Sequence, residues 1–251
     1  MGVVIIDFSP TGNTRKVACA IADAWGGAGK TIDLTNPRTD FSTCEIAADD
    51  TVIISMPAFE GTAPKVALDR LGQIRGNGAK CILVCVYGNR AFEHTLVDME
   101  AAAKGCGFTV IAGIAGVAEH SILHQYGAGR PDAEDIEKLH AFAEKVAEKG
   151  DGEVSMPGSP SIKKDGDGDA SLLLPKPTKG CTKCGACARI CPVEAIDPVS
   201  YQADPKKCIS CMRCVAKCPA NARKVNGVVL KAAGMMLKKS CSERKEPELF
   251  I

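Results

Sequence analysis

The first 150 residues alternate short, densely apolar runs with longer stretches in which apolar positions recur at helical intervals. The apolar runs predict strands at Val3–Phe8, Lys30–Leu34, Thr51–Met56, Lys80–Val86 and Phe108–Gly113. Near-continuous apolar character, without in-and-out alternation, marks strands buried on both faces, as in a parallel sheet covered by helices. Helical spacing predicts helices near Thr14–Trp25, Ala63–Leu71, Phe92–Lys104 and Asp132–Lys149. The last carries the strongest signal. Pro131 and Asp132 open it, and Ile136, Leu139, His140, Ala143 and Val146 keep one face. Between Phe41 and Asp50 the pattern is ambiguous, with room for a short helix. The expectation is an α/β domain over residues 1–150.

After Gly150 the periodicity dissolves. Gly, Pro, Ser and Asp dominate as far as Lys179, the composition of a linker over residues 151–178. Asp165-Gly-Asp-Gly-Asp169 has the look of a calcium loop, but Lys176 stands where an EF-hand needs its closing glutamate, so a solvated linker is the better reading. Leu172–Leu174 are apolar enough to pack this segment onto a neighbouring domain. Residues 179–226 form a second domain, and residues 227–251 a C-terminal helix (Val228–Lys239) and tail. The tail's apolar end, Leu249-Phe250-Ile251, is expected to dock.

The second domain holds the most specific pattern in the chain. C-T-K-C-G-A-C-A-R-I-C-P begins at Cys181, and C-I-S-C-M-R-C-V-A-K-C-P begins at Cys208, an internal repeat of 27 residues. Each copy reads C-x2-C-x2-C-x3-C-P and resembles the ligand run of bacterial two-cluster ferredoxins. The resemblance implies two [4Fe–4S] clusters with a crossed fourth ligand. Cys181, Cys184, Cys187 and Cys218 would hold one cluster; Cys208, Cys211, Cys214 and Cys191 would hold the other. Structural zinc also uses paired C-x2-C and is the competing reading. A disulfide framework fits worse, because three closely spaced cysteines cannot pair sensibly among themselves.

Six further cysteines, Cys19, Cys44, Cys81, Cys85, Cys106 and Cys241, lie outside these runs, several in apolar surroundings typical of reduced core thiols. No basic-then-apolar leader opens the chain, and the longest apolar run, Phe108–Ala118, is too short and Gly-interrupted to span a bilayer. The expectation is a cytoplasmic protein of a reducing, anaerobic cell, with no membrane partner. Net charge is +1 but unevenly spread. Residues 1–150 carry 14 Lys and Arg against 19 Asp and Glu, whereas residues 151–251 carry 17 against 11. The basic half does not argue for nucleic acid, because bound clusters and their thiolates would offset most of it. It suits balancing cluster charge or steering an acidic redox partner.

A second constellation follows the first strand, where Ser9-Pro-Thr-Gly-Asn-Thr14 runs straight into a helix. Small hydroxyl residues and Gly12 at a helix N-terminus suit a phosphate, which backbone N–H groups and the helix dipole both favour. An ordinary βα turn with Ser9 or Asn13 as a cap is the plainer alternative. The loop is neither G-x-G-x-x-G nor a Walker loop with its lysine.

Ser9, Thr11, Gly12, Asn13 and Thr14 in this setting resemble the FMN-phosphate loop of flavodoxins, which implies a five-stranded parallel sheet of order 2-1-3-4-5. In that family the loops after the third and fourth strands hold the isoalloxazine. Here they are Met56-Pro57-Ala58-Phe59-Glu60-Gly61 and Tyr87-Gly88-Asn89-Arg90, the latter continuing to Phe92. Phe59 or Tyr87 could stack on the ring, or serve loop packing only. Arg90 could offset charge on the reduced flavin, or stand solvated. His120, within Glu119-His120-Ser121, could reach the same rim or fill a capping or core role.

Flavodoxin loop, linker, two-cluster run and a Cys-x2-Arg-Lys tail together are similar to the flavodoxin–ferredoxin fusion family. That resemblance implies an electron-transfer protein carrying FMN and two [4Fe–4S] clusters, with a redox partner protein such as a ferredoxin-like donor or an acceptor enzyme. No Ser–His–Asp set or other acid–base constellation is recognisable. Two other functions fit the same residues: an FMN-dependent reductase of a small organic acceptor, and a flavodoxin-fold docking module without flavin.

Overall fold

A computed structural model describes residues 2–160 and 173–251. The Asp165–Asp169 stretch and Leu172 lie outside the described residues. The larger body is an open sheet built from β1 (Val3–Asp7), β2 (Lys30–Asp33), β3 (Thr51–Pro57), β4 (Lys80–Tyr87) and β5 (Thr109–Val117). These five pair in parallel in the order 2-1-3-4-5, as expected. Helices α1 (Asn13–Asp23), α2 (Lys65–Leu71), α3 (Thr95–Gly105) and α4 (Ala133–Lys149) cover the two faces. Parallel strands joined by crossover helices bury both sheet faces, which is why the apolar runs carry no alternation.

Two apolar cores result. One face packs Ile6, Ile54 and Leu83 with Leu71, Met99 and Phe108. The other packs Ile5, Ile53 and Val84 against Val17 and Ile21 of α1 and Leu139 and Ala143 of α4. Helix α4 begins as its sequence signals: the Asp132 side chain accepts from Asp135 N–H, and the Asp135 carboxylate accepts from Asp132 N–H. The ambiguous Phe41–Asp50 connection holds one short 3-10 turn, Phe41–Thr43.

Three departures from the sequence pattern matter later. β5 continues to Val117 because Ile114-Ala-Gly-Val117 is still buried; at Gly116 a Cβ would stand 2.7 Å from Val17 Cγ1, so only glycine lets α1 approach so closely. α3 starts at Thr95, leaving Phe92 in the preceding loop. The beginning of the linker stretch is not free of the sheet. Val154 N–H donates to Val110 O, and Met156 is buried against the first core.

The smaller unit contains β6 (Lys176–Pro177), α5 (Ala186–Arg189), α6 (Arg213–Ala216) and β7 (Arg223–Lys224), with β6 and β7 paired antiparallel. The chain then forms α7 (Gly227–Cys241) and returns to the larger body as β8 (Glu248–Phe250). β8 pairs antiparallel with β5, making a six-stranded sheet of order 2-1-3-4-5-8. The apolar C-terminal end therefore docks in a specific way. Leu249 joins one core and Phe250 the other, the period of two that a strand inserted between layers requires. Among the described residues, no helix is long and apolar enough to cross a membrane.

Candidate functional site

The duplicated cysteine run folds as a duplicated backbone. Residues with positive φ recur at the repeat interval: Lys183 and Ser210, Gly185 and Met212, Glu194 and Asn221. Such conformations are uncommon outside glycine, so three matched pairs mark two copies of one loop design. The bonds to sulfur repeat as well. Ala195 N–H donates to Cys191 Sγ at 3.3 Å, and Ala222 N–H donates to Cys218 Sγ at 3.2 Å.

The cysteines line two cavities, and the grouping crosses the repeat. One is lined by Cys191, Cys208, Cys211 and Cys214. The other is lined by Cys181, Cys184, Cys187 and Cys218. Zinc, the competing tenant, needs its thiolates about 2.3 Å from one point; among the described residues, no three His, Cys, Asp or Glu side chains gather so closely. Several buried polar atoms near these cavities lack a partner among the described residues, including Arg213 Nε, Arg223 Nε and the Ser210 hydroxyl. A group presenting sulfide and thiolate acceptors would satisfy such donors, so the residues present fit iron–sulfur clusters.

The two quartets differ in setting. Cys184 is exposed, and backbone N–H donation from Ala186 holds its thiol below the ordinary range. Burial pushes Cys211 up to about 12 and Cys214 up to about 11; for Cys214 the charge of Arg223 is the largest opposing influence.

On the larger body, Gly12 is the N-cap of α1 with φ of 104°, a conformation that excludes most side chains, and a Cβ there would meet nothing within 4 Å. The first amides of α1 have no intrahelical acceptor. One is satisfied locally: Arg15 N–H donates to Ser9 Oγ at 2.9 Å. Asn13 Nδ2 donates to Glu119 O at 3.0 Å, bringing the loop after β5 beside the Ser9–Thr14 loop. Thr14 is buried and Thr11 half-buried. An open, left-handed glycine at the head of an eleven-residue helix fits a phosphate.

Below this loop lies a charge cluster that the sequence pattern did not reveal. Asp7, fully buried, accepts two 2.5 Å hydrogen bonds from the Arg15 guanidinium. Burial raises its carboxyl above the usual range, with Arg15 opposing. Asp33 stands 3.7 Å from Arg15 and 3.9 Å from Arg213.

The loop after β3 is a tight turn in which Phe59 and Thr62 exchange backbone hydrogen bonds. Met56 is fully buried, Pro57, Ala58 and Phe59 are half-buried, and Glu60 is exposed at the tip with positive φ. Gly61 lies against Glu93. The loop after β4 is committed elsewhere. Tyr87 is buried beside Phe92, their rings 5.6 Å apart, and Phe92 lies 6.1 Å from Phe250 of β8. Burial drives the Tyr87 phenol well above its ordinary range. Asn89, buried, donates to Cys241 O and Glu243 O and accepts from Lys245 N–H. Arg90 pairs with Glu93 at 2.8 Å. Gly88 lies against His120; a Cβ would come within 2.7 Å of His120 Cβ. The His120 Nδ1 accepts from Ile122 and Leu123 N–H, and burial lowers the ring below its ordinary range. Ser121 is half-buried.

The two sites adjoin. Arg213, immediately before Cys214, donates to Pro10 O of the Ser9–Thr14 loop at 3.4 Å. Arg70 of α2 donates to both Leu34 O and Pro192 O, the latter beside Cys191. Ile209, between Cys208 and Cys211, packs onto the sheet's first core. The cavity of Cys191, Cys208, Cys211 and Cys214 thus borders the carboxyl ends of β1 and β2, where open α/β sheets bind ligands. Sequence reasoning singled out neither Arg70 nor Arg213; a lone arginine has no local pattern.

Two sets of known proteins are similar to this chain. The 4Fe-4S dicluster domain family matches residues 180–222. Among solved structures, a flavodoxin from Streptococcus pneumoniae TIGR4 is 20% identical, covering 59% of this chain and 97% of its own, with a TM-score of 0.39. A flavodoxin from the domain Archaea is 16% identical over 59% of this chain and 98% of its own, with a TM-score of 0.42. The Flv1 flavodiiron core from Synechocystis sp. PCC6803 is 19% identical over 59% of this chain and 36% of its own, with a TM-score of 0.40. No curated protein matches the chain. The chain joins a 4Fe-4S dicluster domain, whose chemistry is electron transfer, to a parallel sheet in flavodoxin strand order.

Proposed function

We propose that this chain is an electron-transfer protein that relays low-potential electrons between two [4Fe–4S] clusters and FMN, and onward to a partner protein. When bound, the clusters supply one-electron transfer, and the flavin supplies exchange between one- and two-electron carriers. Cys181, Cys184, Cys187 and Cys218 would hold one cluster; Cys191, Cys208, Cys211 and Cys214 would hold the other. Ser9, Thr11, Gly12, Asn13 and Thr14 would hold the FMN phosphate. Phe59 and the half-buried loop after β3 face the ring more readily than Tyr87, buried against Phe92, or Asn89, whose side chain holds the C-terminal segment.

One observation carries this reading. Arg213, next to a proposed cluster ligand, reaches the backbone of the proposed phosphate loop. That single side chain supports a close approach of the buried quartet to the flavin. The exposed quartet, with Cys184 at the surface, is then the entry for electrons from a partner.

Anaerobic purification followed by counting tests the inventory: about eight irons, eight acid-labile sulfides and one FMN per chain. Two zincs without sulfide would end the iron–sulfur reading. Stopped-flow bleaching of the flavin by a reduced ferredoxin tests the relay. Rapid bleaching in the full chain, greatly slowed in Cys191→Ser, is expected; equal rates would defeat it. Turnover of a small organic acceptor without any partner protein would favour a reductase instead.

A further inference from the structure

Arg223 is 2% exposed, yet among the described residues its guanidinium meets no carboxylate. Removing a guanidinium from water is costly unless its donors are met by acceptors or negative charge. Its Nη1 donates to Tyr201 O at 2.7 Å and lies 3.6 Å from Cys187 Sγ; its Nη2 donates to Pro175 O at 2.9 Å. Its Nε is buried without a partner among the described residues. Two carbonyls do not neutralise a full positive charge.

The position is unusual in the repeat. Arg223 lines the cavity of Cys181, Cys184, Cys187 and Cys218. The matching residue one repeat earlier, 27 positions back, is Ile196, which lines the other cavity as a buried apolar side chain. One copy of the duplicated loop therefore carries a buried cation where the other carries an apolar side chain.

We infer that Arg223 is a positioning residue for the proposed cluster of Cys181, Cys184, Cys187 and Cys218, a buried cation that raises the reduction potential of that cluster by favouring its more negative, reduced form. This rests on the cluster assignment under Proposed function. The physical reason is general: adding an electron adds negative charge, and a fixed cation in a low-dielectric setting lowers its cost without solvent reorganisation. The same side chain anchors the segment entering this unit at Pro175 and the inter-repeat loop at Tyr201, so a purely structural role must be separated from an electrostatic one.

The test uses the full chain with reconstituted clusters, Arg223→Gln and Arg223→Lys, and redox titration followed by electron paramagnetic resonance. Iron and sulfide are counted first. An unmodified chain lacking clusters would defeat the underlying assignment and is distinguishable from any effect of Arg223. The expected result is full cluster content in Arg223→Lys with potentials near native, and in Arg223→Gln a negative shift of one couple with the other unmoved. Equal shifts of both couples would overturn the one-sided role. Unchanged potentials in Arg223→Gln, or loss of iron from both variants, would make Arg223 a structural anchor only and overturn the inference.

Discussion

The sheet and the cysteine-rich unit are stabilised by different means. The sheet buries aliphatic side chains on both faces, with Ile5, Ile6, Ile53, Ile54, Ile82 and Leu83 fully enclosed. At about 1.5–3 kcal/mol for each such side chain, it can order itself by burial alone. The cysteine-rich unit has helices of four residues, strands of two, and a buried cluster of little more than Cys191, Ala195, Ile196, Ala203 and Cys214. So small an apolar core rarely suffices without metals or disulfides. The first region can stand without a bound group; the second has the size and composition of a unit that bound clusters complete.

The sharpest way to break that contrast is to remove iron and sulfide from the full chain and follow amide exchange. Protection should vanish across residues 174–226 and persist in β1, β3 and β4. Equal loss in both regions would show that the sheet also depends on the clusters. Next in size, Gly12→Asp should weaken FMN binding on the order of a hundredfold while leaving iron content unchanged, because it sets a side chain and a charge where phosphate belongs. Undiminished flavin, measured by fluorescence of the released cofactor, would move the phosphate site elsewhere.

Asn89→Ala probes the seam between the regions. It removes an acceptor and two donations that hold the backbone at Cys241, Glu243 and Lys245, at a cost of about 1–3 kcal/mol. Chemical denaturation should report that loss, and exchange should rise in β8 before β4. The smallest expected effect is in pH. Burial depresses His120, and its Nδ1 must stay unprotonated to accept two amides. The unfolded chain then binds more protons than the folded one, so this contribution is complete above about 6.5 and falls as pH drops through that value toward the folded pKa. His120→Asn should flatten stability between about pH 7 and 5; an unaltered slope would assign the dependence to other groups.

How much was legible follows the same contrast. The five parallel strands and the capping box of α4 lie in contiguous residues, so apolar runs and local caps reveal them. The cysteine spacing is equally local. β8 is not: Glu248-Leu-Phe250 is three residues whose strand character comes from pairing with Gly113–Ala115. Nor are the roles of Asn89, Arg130 and Arg213. Each depends on a partner more than 100 residues away, as when Arg130 donates to Lys245 O. The loop after β4 reads in the sequence as a flavin contact, and nothing local shows that its Asn89 also holds the returning C-terminal segment.

That returning strand changes what kind of object the chain is. Because β8 completes the sheet begun by β1, the cysteine-rich unit is an excursion held at both ends, like a bead on a closed loop rather than a weight on a string. Double anchorage limits how far the cysteine loops can stray from Pro10 and Leu34, so close approach needs no favourable encounter. It also imposes an order on synthesis. The edge beside β5 stays open until Glu248–Phe250 have left the ribosome, by which time the whole cysteine run has already emerged.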